Sequence, residues 1–583
     1  MKKVLLTGNE AVARGAWEAG VEFAAAYPGT PSTEITETIA QYQEVKAEWA
    51  PNEKVALESA IGAALGGVRA LACMKHVGLN VAADPFCTLS YVGVNAGIVL
   101  LCADDPSMHS SQNEQDNRFY ARMAKVPMIE PSDSGEAYGF VKLAFRLSER
   151  FHTPVLLRVT TRVCHTRGLV KTGKRVETGR KKFDKRRHLH VMAPDVARER
   201  HRLLARRMER LMEYSETTPL NRIERGASAM GIIASGVAYH YAREVLPGAS
   251  FLRLGFTHPL PERLVGRFAR SVGEVVIVEE LEPYLEDAVR AMGVKARGKS
   301  LLPRTGELTP DVVREALSRG RRRRARGAAA KLPARPPNMC PGCPHRAFFA
   351  AAKPLKPVVF GDIGCYTLAY QPPLNMLDVN ICMGASIGMS FGFSKAGGGN
   401  ADCLGVIGDS TLLHSGLAGV MEMAYNRGVN TLAILDNGTT AMTGGQDHPG
   451  TGRTLKGETA PAVDIEGVCR ALGVKRVFTV NPFDVMETRR VLRRELKARE
   501  ASVIVSRAPC PLMTGERAGA MSVDAGLCTD CGACVRINCP AIGRSGGKVS
   551  INESLCIGCS VCSQVCGAGA ISRTSDRKNS GKV

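Results

Sequence analysis

The chain has 583 residues, 44% hydrophobic and 23% charged, which is room for about four domains and excludes a disordered polymer. Lys and Arg (77) outnumber Asp and Glu (56), a formal +21 that raises nucleic acid or an anionic membrane as partner. No aromatic-interleaved basic motif and no apolar run near the ~20 residues of a bilayer span supports either, so no nucleic acid and no membrane span are expected.

Aromatics at 5% with 60 glycines suit packed α/β layers better than an aromatic-rich β-sandwich. In residues 1–165, short apolar strands predicted at 4–7, 23–27, 70–75, 98–103 and 153–159 alternate with helical patterns, the first over 9–19. That rhythm predicts a parallel, doubly wound sheet. Residues 166–225 are dense in Lys and Arg and read as an exposed basic linker with an amphipathic helix; an acidic protein partner is the other reading. A second α/β unit covers 226–330 and ends in the arginine run 321–324. A third covers 331–515, and 516–583 form a cysteine-dense tail. The first residues hold only a three-residue apolar run and no signal peptide, so the chain is expected in the cytoplasm. There, clustered cysteines read as metal ligands rather than disulfides.

Eight of the 19 cysteines lie between Cys528 and Cys566. Cys528, Cys531 and Cys534 form one CxxCxxC, followed by Cys539-Pro540; Cys556, Cys559 and Cys562 form another, followed by Cys566. Three such thiolates wrap one corner of a cubane and the remote fourth serves the other cluster. The expected sets are therefore Cys528, Cys531, Cys534 and Cys566, and Cys556, Cys559, Cys562 and Cys539. Zinc would be open for CxxC pairs alone, but a double array reads as two [4Fe-4S] clusters. Its last spacer is four residues rather than three in the first array, and Gly567 stands where proline is usual; neither removes a ligand.

In the third unit, Leu404–Gly408 reads as a buried strand ending at Asp409-Ser410, and 431–435 as a second ending at Asp436-Asn437-Gly438-Thr439. Parallel strands present ligands at their carboxyl ends. Asp409 and Asn437 offer side-chain oxygens and Thr439 a carbonyl, the hard donors that Mg²⁺ takes alongside a diphosphate; Gly408 lets the backbone come close. The GDS…DN spacing resembles the diphosphate motif of thiamine diphosphate enzymes, with Ser410 in place of the commoner glycine.

The strings YPGTPSTEI, NEKVALE, MKHVGLNVAADP, ADDPSMHSSQNEQDNR, RPPNMCPGCPHRA, GDIGCYT, GDSTLLHSG, TAMTGGQDHPG and the double tail resemble the large (alpha) subunit of indolepyruvate:ferredoxin oxidoreductases, within the 2-oxoacid:ferredoxin oxidoreductases. The resemblance implies a pyrimidine-binding-type thiamine domain at 1–165, a transketolase-C-terminal-like domain at 226–330, a diphosphate-binding domain at 331–515 and a two-cluster ferredoxin-like domain at 516–583. It implies oxidative decarboxylation of an aryl pyruvate to the aryl-acetyl-coenzyme A, electrons leaving through the clusters to ferredoxin, and a smaller beta subunit completing a hetero-oligomer. By its register, Glu53 is the carboxylate for N1′ of the aminopyrimidine, with Glu58 as rival, and Thr30 contacts substrate. Relatives pair the substrate carboxylate with an arginine in a later loop; here 103–106 has none, leaving Lys75, His76 or Arg118. Cys340, Cys343, Cys365 and Cys510 resemble the ligands of a third, proximal cluster, although Cys73, Cys102 and others show that this chain also uses cysteine as a small core residue. Three clusters at −2 each would still leave the protein near about +15, suited to an acidic ferredoxin. The remaining alternatives are an oxidoreductase for another 2-oxo acid, a non-oxidative thiamine decarboxylase with a structural tail, and a pure electron-transfer subunit.

Overall fold

The apolar runs over 70–75 and 98–103 become adjacent central strands, Arg69–Lys75 and Ile98–Asp104, since strands covered by helices on both faces are hydrophobic throughout. The computed structural model describes residues 2–183, 185, 190–317, 336–396, 402–545 and 547–574; the arginine run 321–324 lies outside the described residues. The chain divides into two compact units, Met1–Ala328 and Ala329–Val583.

In the first unit a seven-stranded sheet runs in the order Phe256–His258, Met128–Ile129, Val155–Thr160, Ile98–Asp104, Arg69–Lys75, Val21–Ala26, Lys46–Trp49. It is parallel except at the Phe256–His258 edge. A five-stranded sheet follows, with Met230–Ser235 at its centre between Glu274–Val278 and Ser250–Leu254. One core joins the two sheets: Leu57, Leu100 and Leu156 belong to the same buried cluster as Leu252, Phe268 and Leu285.

The strand read at 4–7 exists but stands outside the large sheet. Lys3–Thr7 pairs antiparallel with Arg167–Lys171, which lies within the segment read as linker. Its residues are exposed or half-exposed, unlike those of a strand covered on both faces. The helix expected in the basic segment is Pro194–Thr217, which buries Leu204 and Leu211. Two of its arginines bond to backbone carbonyls: Arg200 donates to the Tyr91 and Val92 carbonyls at 2.7 and 2.8 Å, and Arg207 to the Ser90 carbonyl at 2.7 Å. Those carbonyls end the helix Ala83–Val92, where the last turn lacks internal donors and cations are favoured.

In the second unit a five-stranded, all-parallel sheet has the order Val358–Phe360, Cys403–Gly408, Thr431–Asp436, Ser502–Arg507, Arg476–Val480. Two antiparallel ribbons, Met521–Val523 with Ile571–Arg573 and Ile542–Ser545 with Lys548–Ile551, build the tail. The tail shares a core with this sheet, Val549 and Ile571 belonging to the cluster of Leu435 and Ile504. The protein is thus an α/β chain with parallel sheets and a small appended β-ribbon domain. No helix of the described residues is long and apolar enough to cross a membrane.

Candidate active site and thiol cavities

Strands Cys403–Gly408 and Thr431–Asp436 lie side by side in parallel register, so Asp409 and Asn437 emerge from the same sheet edge. Gly408 is required by a close approach: a Cβ there would come 2.9 Å from the Tyr366 ring. Gly408 was expected to let the backbone come close, and the neighbour it admits is a tyrosine of the GDIGCYT segment. Asp409 is buried, and its carboxylate accepts from the Ser410 and Gly438 N–H groups, each at 2.9 Å. His448 Nε2 lies 3.3 Å from Asp409 Oδ2. Burial pushes the Asp409 carboxyl up, but His448 and the two N–H donors outweigh it and hold the group below the usual carboxylate range. The Asn437 Oδ1 accepts from the Thr439 N–H at 3.2 Å, and its Nδ2 lies 3.3 Å from His345 Nε2. Burial lowers His345 to about 4, so the ring is neutral and accepts from that amide. Ser410 Oγ accepts from the Thr440 hydroxyl at 2.9 Å, and Thr439 Oγ1 donates to the Gln446 carbonyl at 3.3 Å. An ionised carboxylate, an oriented amide oxygen and nearby backbone form a hard oxygen set that fits Mg²⁺–diphosphate.

The same edge gathers four thiols. The Cys510 N–H donates to the Asn437 carbonyl at 3.0 Å, and the Cys343 N–H to the Cys340 carbonyl at 3.1 Å. Burial pushes Cys365 up to about 12, with Cys343, Cys510 and Cys340 adding to the effect. Burial likewise raises Cys340 and Cys343, so these three thiols would ionise readily beside a cationic core of the kind an iron–sulfur cluster supplies. Gly342, at φ +69°, lies between Cys340 and Cys343, and a Cβ there would sit 1.9 Å from Ile557 Cδ1. This loop is therefore pressed against the second array of the tail.

In the tail, Cys528, Cys531, Cys534 and Cys566 line one cavity, walled by Val523, Val549 and Ile571. Cys539, Cys556, Cys559 and Cys562 line a second, together with Met521, Ile537 and Ile551. The fourth cysteine of each array crosses to the other cavity. Among the described residues, no three His, Cys, Asp or Glu side chains are arranged to hold one metal ion; the thiols surround apolar spaces instead, a donor set that suits cubanes. Were both tail quartets and the quartet of Cys340, Cys343, Cys365 and Cys510 each to hold a [4Fe-4S] cluster, the protein purified anaerobically would contain about twelve irons, and Cys365→Ala about eight. A wild-type value near eight would leave the quartet of Cys340, Cys343, Cys365 and Cys510 without iron.

In the first unit, Glu53 opens the helix Glu53–Leu65, whose end is capped by Asn52 accepting from the Val55 N–H at 2.9 Å. Glu53 is 4% exposed, and a Cβ on Gly78 would stand 2.5 Å from its Oε1, so only glycine admits the carboxylate. Glu58 instead points outward and pairs with Lys54. Lys75 ends its strand beside Gly29, whose Cβ would be 3.2 Å from the lysine chain. Its Nζ donates to the Ser110 carbonyl at 2.8 Å, and Ser110 Oγ reaches the Thr30 carbonyl at 3.3 Å. Asp105 organises this loop, accepting from the Ser110 N–H at 2.9 Å and the Ser111 and Thr161 hydroxyls. Burial lowers the Lys75 ammonium to about 8, against the opposing pull of Asp105 and Glu53. His76 is buried and its Nε2 lies 3.1 Å from the Asn113 carbonyl; burial, with Lys75 adding, lowers it to about 4. Arg118, 1% exposed, is committed elsewhere, to Glu279 at 2.6 Å, to Asp116 and to the Glu280 and Glu282 carbonyls.

Thr30, Lys75 and His76 thus come together in the first unit, and Asp409, Ser410, Asn437 and Thr439 in the second. His345, His448, Asp105 and Ser110 had no role expected from the sequence. Each lies inside a string already notable for its residues, yet spacing alone carries no sign of which distant loop it meets.

Residues 14–218 match the family described as pyruvate flavodoxin/ferredoxin oxidoreductase, thiamine diP-bdg, and residues 362–506 the thiamine pyrophosphate enzyme C-terminal TPP-binding domain. Residues 549–572 match a 4Fe-4S binding domain. A protein of Methanothermobacter marburgensis named indolepyruvate oxidoreductase subunit IorA is 44% identical, covering 99% of this chain and 98% of its own. The protein of the same name from Archaeoglobus fulgidus is 42% identical over 93% of each. Among solved structures, a 2-oxoglutarate:ferredoxin oxidoreductase from Magnetococcus marinus is 16% identical, with a TM-score of 0.47 over 54% of this chain and 64% of its own.

Proposed function

Because the chain belongs to the indolepyruvate oxidoreductase subunit IorA family, we propose that it catalyses oxidative decarboxylation of aryl pyruvates to aryl-acetyl-coenzyme A. It does so as the thiamine- and cluster-bearing subunit beside a smaller beta subunit, with ferredoxin taking the electrons. When bound, thiamine diphosphate supplies a nucleophilic carbon and an electron sink for loss of CO₂, and [4Fe-4S] clusters accept electrons singly.

Each residue then has a defined task. Glu53 holds the proton at N1′ of the aminopyrimidine, buried where water does not compete. Asp409 and Asn437 present oxygens to Mg²⁺, while Ser410, Thr439 and Gly408 shape the turns around the diphosphate. The Lys75 ammonium pairs with the substrate carboxylate and Thr30 lies alongside; neutral His76 orients the Asn113 segment. The two tail quartets and the quartet of Cys340, Cys343, Cys365 and Cys510 hold clusters.

The observation that carries the reading is continuity. The Asn437 turn is tied through the Cys510 N–H to the thiol quartet, whose CPGC loop abuts Ile557 of the tail. A decarboxylase that released aldehyde would have no use for an electron route leaving its diphosphate turn. The test is anaerobic dye reduction by the co-expressed subunit pair with indolepyruvate, phenylpyruvate, pyruvate and 2-oxoglutarate, with and without coenzyme A. Reduction that prefers the aryl substrates and needs coenzyme A supports the reading. Aldehyde release without an electron acceptor contradicts it, and preference for pyruvate or 2-oxoglutarate contradicts the substrate class.

Lys75→Ala should raise KM for the 2-oxo acid about 10–100-fold, the value of a charge-assisted contact, with a smaller change in kcat. Lowered to about 8 by burial, the ammonium is charged well below pH 8, half charged near that value and lost as pH rises through it. Wild-type KM should therefore climb above pH 8, and Lys75→Arg, always charged, should remove the climb. An unchanged KM profile in both variants would exclude Lys75 as the partner of the carboxylate.

A further inference from the structure

Arg346 lies in the first turn of the helix Pro344–Ala352, immediately after Cys340-Pro-Gly-Cys343, and is 2% exposed. Its guanidinium turns back on the loop that precedes it, donating to the Met339 carbonyl and to the Cys340 carbonyl at 3.3 Å. The other amino group donates to the Asn538 carbonyl and to the Ile537 carbonyl at 3.2 Å, in the turn just before Cys539. One side chain thus ties the thiol quartet's loop to a ligand of the tail. It also lines the cavity formed by Cys539, Cys556, Cys559 and Cys562.

The charge balance at this point is unusual. A buried guanidinium without a counter-charge is severely destabilising, yet among the described residues no carboxylate pairs with Arg346. Its Nε, buried, has no hydrogen-bond partner. The groups that act on it electrostatically, after burial itself, are Cys539, Cys343, Cys340 and Cys559, two from each quartet. As ligated thiolates around [4Fe-4S] cores they would carry the missing negative charge. A positive charge beside a cluster favours its reduced, more negative state, so it raises the reduction potential.

We propose that Arg346 is the shared counter-ion of the cluster held by Cys340, Cys343, Cys365 and Cys510 and of the tail cluster held by Cys539, Cys556, Cys559 and Cys562, positioning the two and raising their reduction potentials. This rests on the reading that both quartets hold clusters. Arg346 is a positioning residue: electrons pass between the clusters, and the guanidinium neither gains nor loses one.

The test uses the intact, anaerobically purified complex carrying Arg346→Gln, which retains hydrogen-bond donors without the charge, and Arg346→Lys, which retains the charge without the fork. Iron content and a potentiometric titration followed by electron paramagnetic resonance are the readouts. With full iron, Arg346→Gln should shift the reduction equilibrium of at least one of the two clusters about tenfold toward the oxidised form, about 59 mV for a one-electron couple. Arg346→Lys should restore most of that shift. Wild-type potentials in a fully loaded Arg346→Gln complex would overturn the proposal. Should Arg346→Gln lose iron, the lysine variant decides: clusters retained at wild-type potentials support the charge role, and clusters lost there too show that the fork's hydrogen bonds matter instead. A wild-type complex with no iron in one of the quartets defeats the underlying cluster reading and is told apart by the iron count.

Discussion

Glu53→Gln is expected to lower turnover about 10²–10⁴-fold, the range typical of a lost general acid–base group, while thiamine diphosphate and Mg²⁺ stay bound. The substitution is nearly isosteric, so the fit against Gly78 and the Asn52 cap should survive. What disappears is the ability to hold a proton at N1′, and with it exchange of the thiazolium C2 proton, which nuclear magnetic resonance measures directly. Glu58→Gln is the control: its carboxylate faces outward against Lys54, in an exposed i,i+4 pair of the kind that contributes only a few tenths of a kcal/mol. Near-normal exchange in Glu53→Gln together with a dead Glu58→Gln would displace the activating register by five residues.

Asp409→Ala should have a different and more complete effect, with thiamine diphosphate no longer bound. The carboxylate is the one ionised group in the oxygen set, and losing it should weaken Mg²⁺–diphosphate by more than the roughly 10–100-fold that loss of an outer partner produces. His448→Asn removes such an outer partner and should fall inside that range. Asp409→Ala also removes the acceptor of the buried Ser410 N–H, at a cost of about 1–3 kcal/mol, whereas the exposed Gly438 N–H keeps a second acceptor in Asp436 Oδ1 at 3.3 Å. Circular dichroism and iron content must therefore accompany the binding measurement. Calorimetry that finds thiamine diphosphate bound with wild-type affinity to folded Asp409→Ala would move the diphosphate away from this turn.

Much of the fold was legible because its signals are local. A continuous apolar run marks a strand covered on both faces, and Arg69–Lys75, Ile98–Asp104, Cys403–Gly408 and Thr431–Asp436 were all readable this way. The tail was legible for a similar reason, since CxxCxxC places three thiols within one turn of chain. Lys3–Thr7 shows the limit: five residues identify a strand but not its partner, and the partner, Arg167–Lys171, lay in a segment whose charge reads as linker.

By itself, the sequence determined the chemistry that this protein commands: oxygen donors at two strand ends, a choice of carboxylates near residue 53, and thiols in cluster spacing. Only the tertiary structure separates the equivalent candidates by their surroundings. Glu53 differs from Glu58 by the bare backbone of Gly78 pressed against it, and Arg118 from Lys75 by a buried pairing with Glu279, 161 positions away. Arg346 looked like one more arginine in a basic chain until Asn538, 192 positions on, closed over it. Burial and charge compensation are properties of the space around a side chain, and that space is walled by residues too distant in sequence for periodicity or spacing to report.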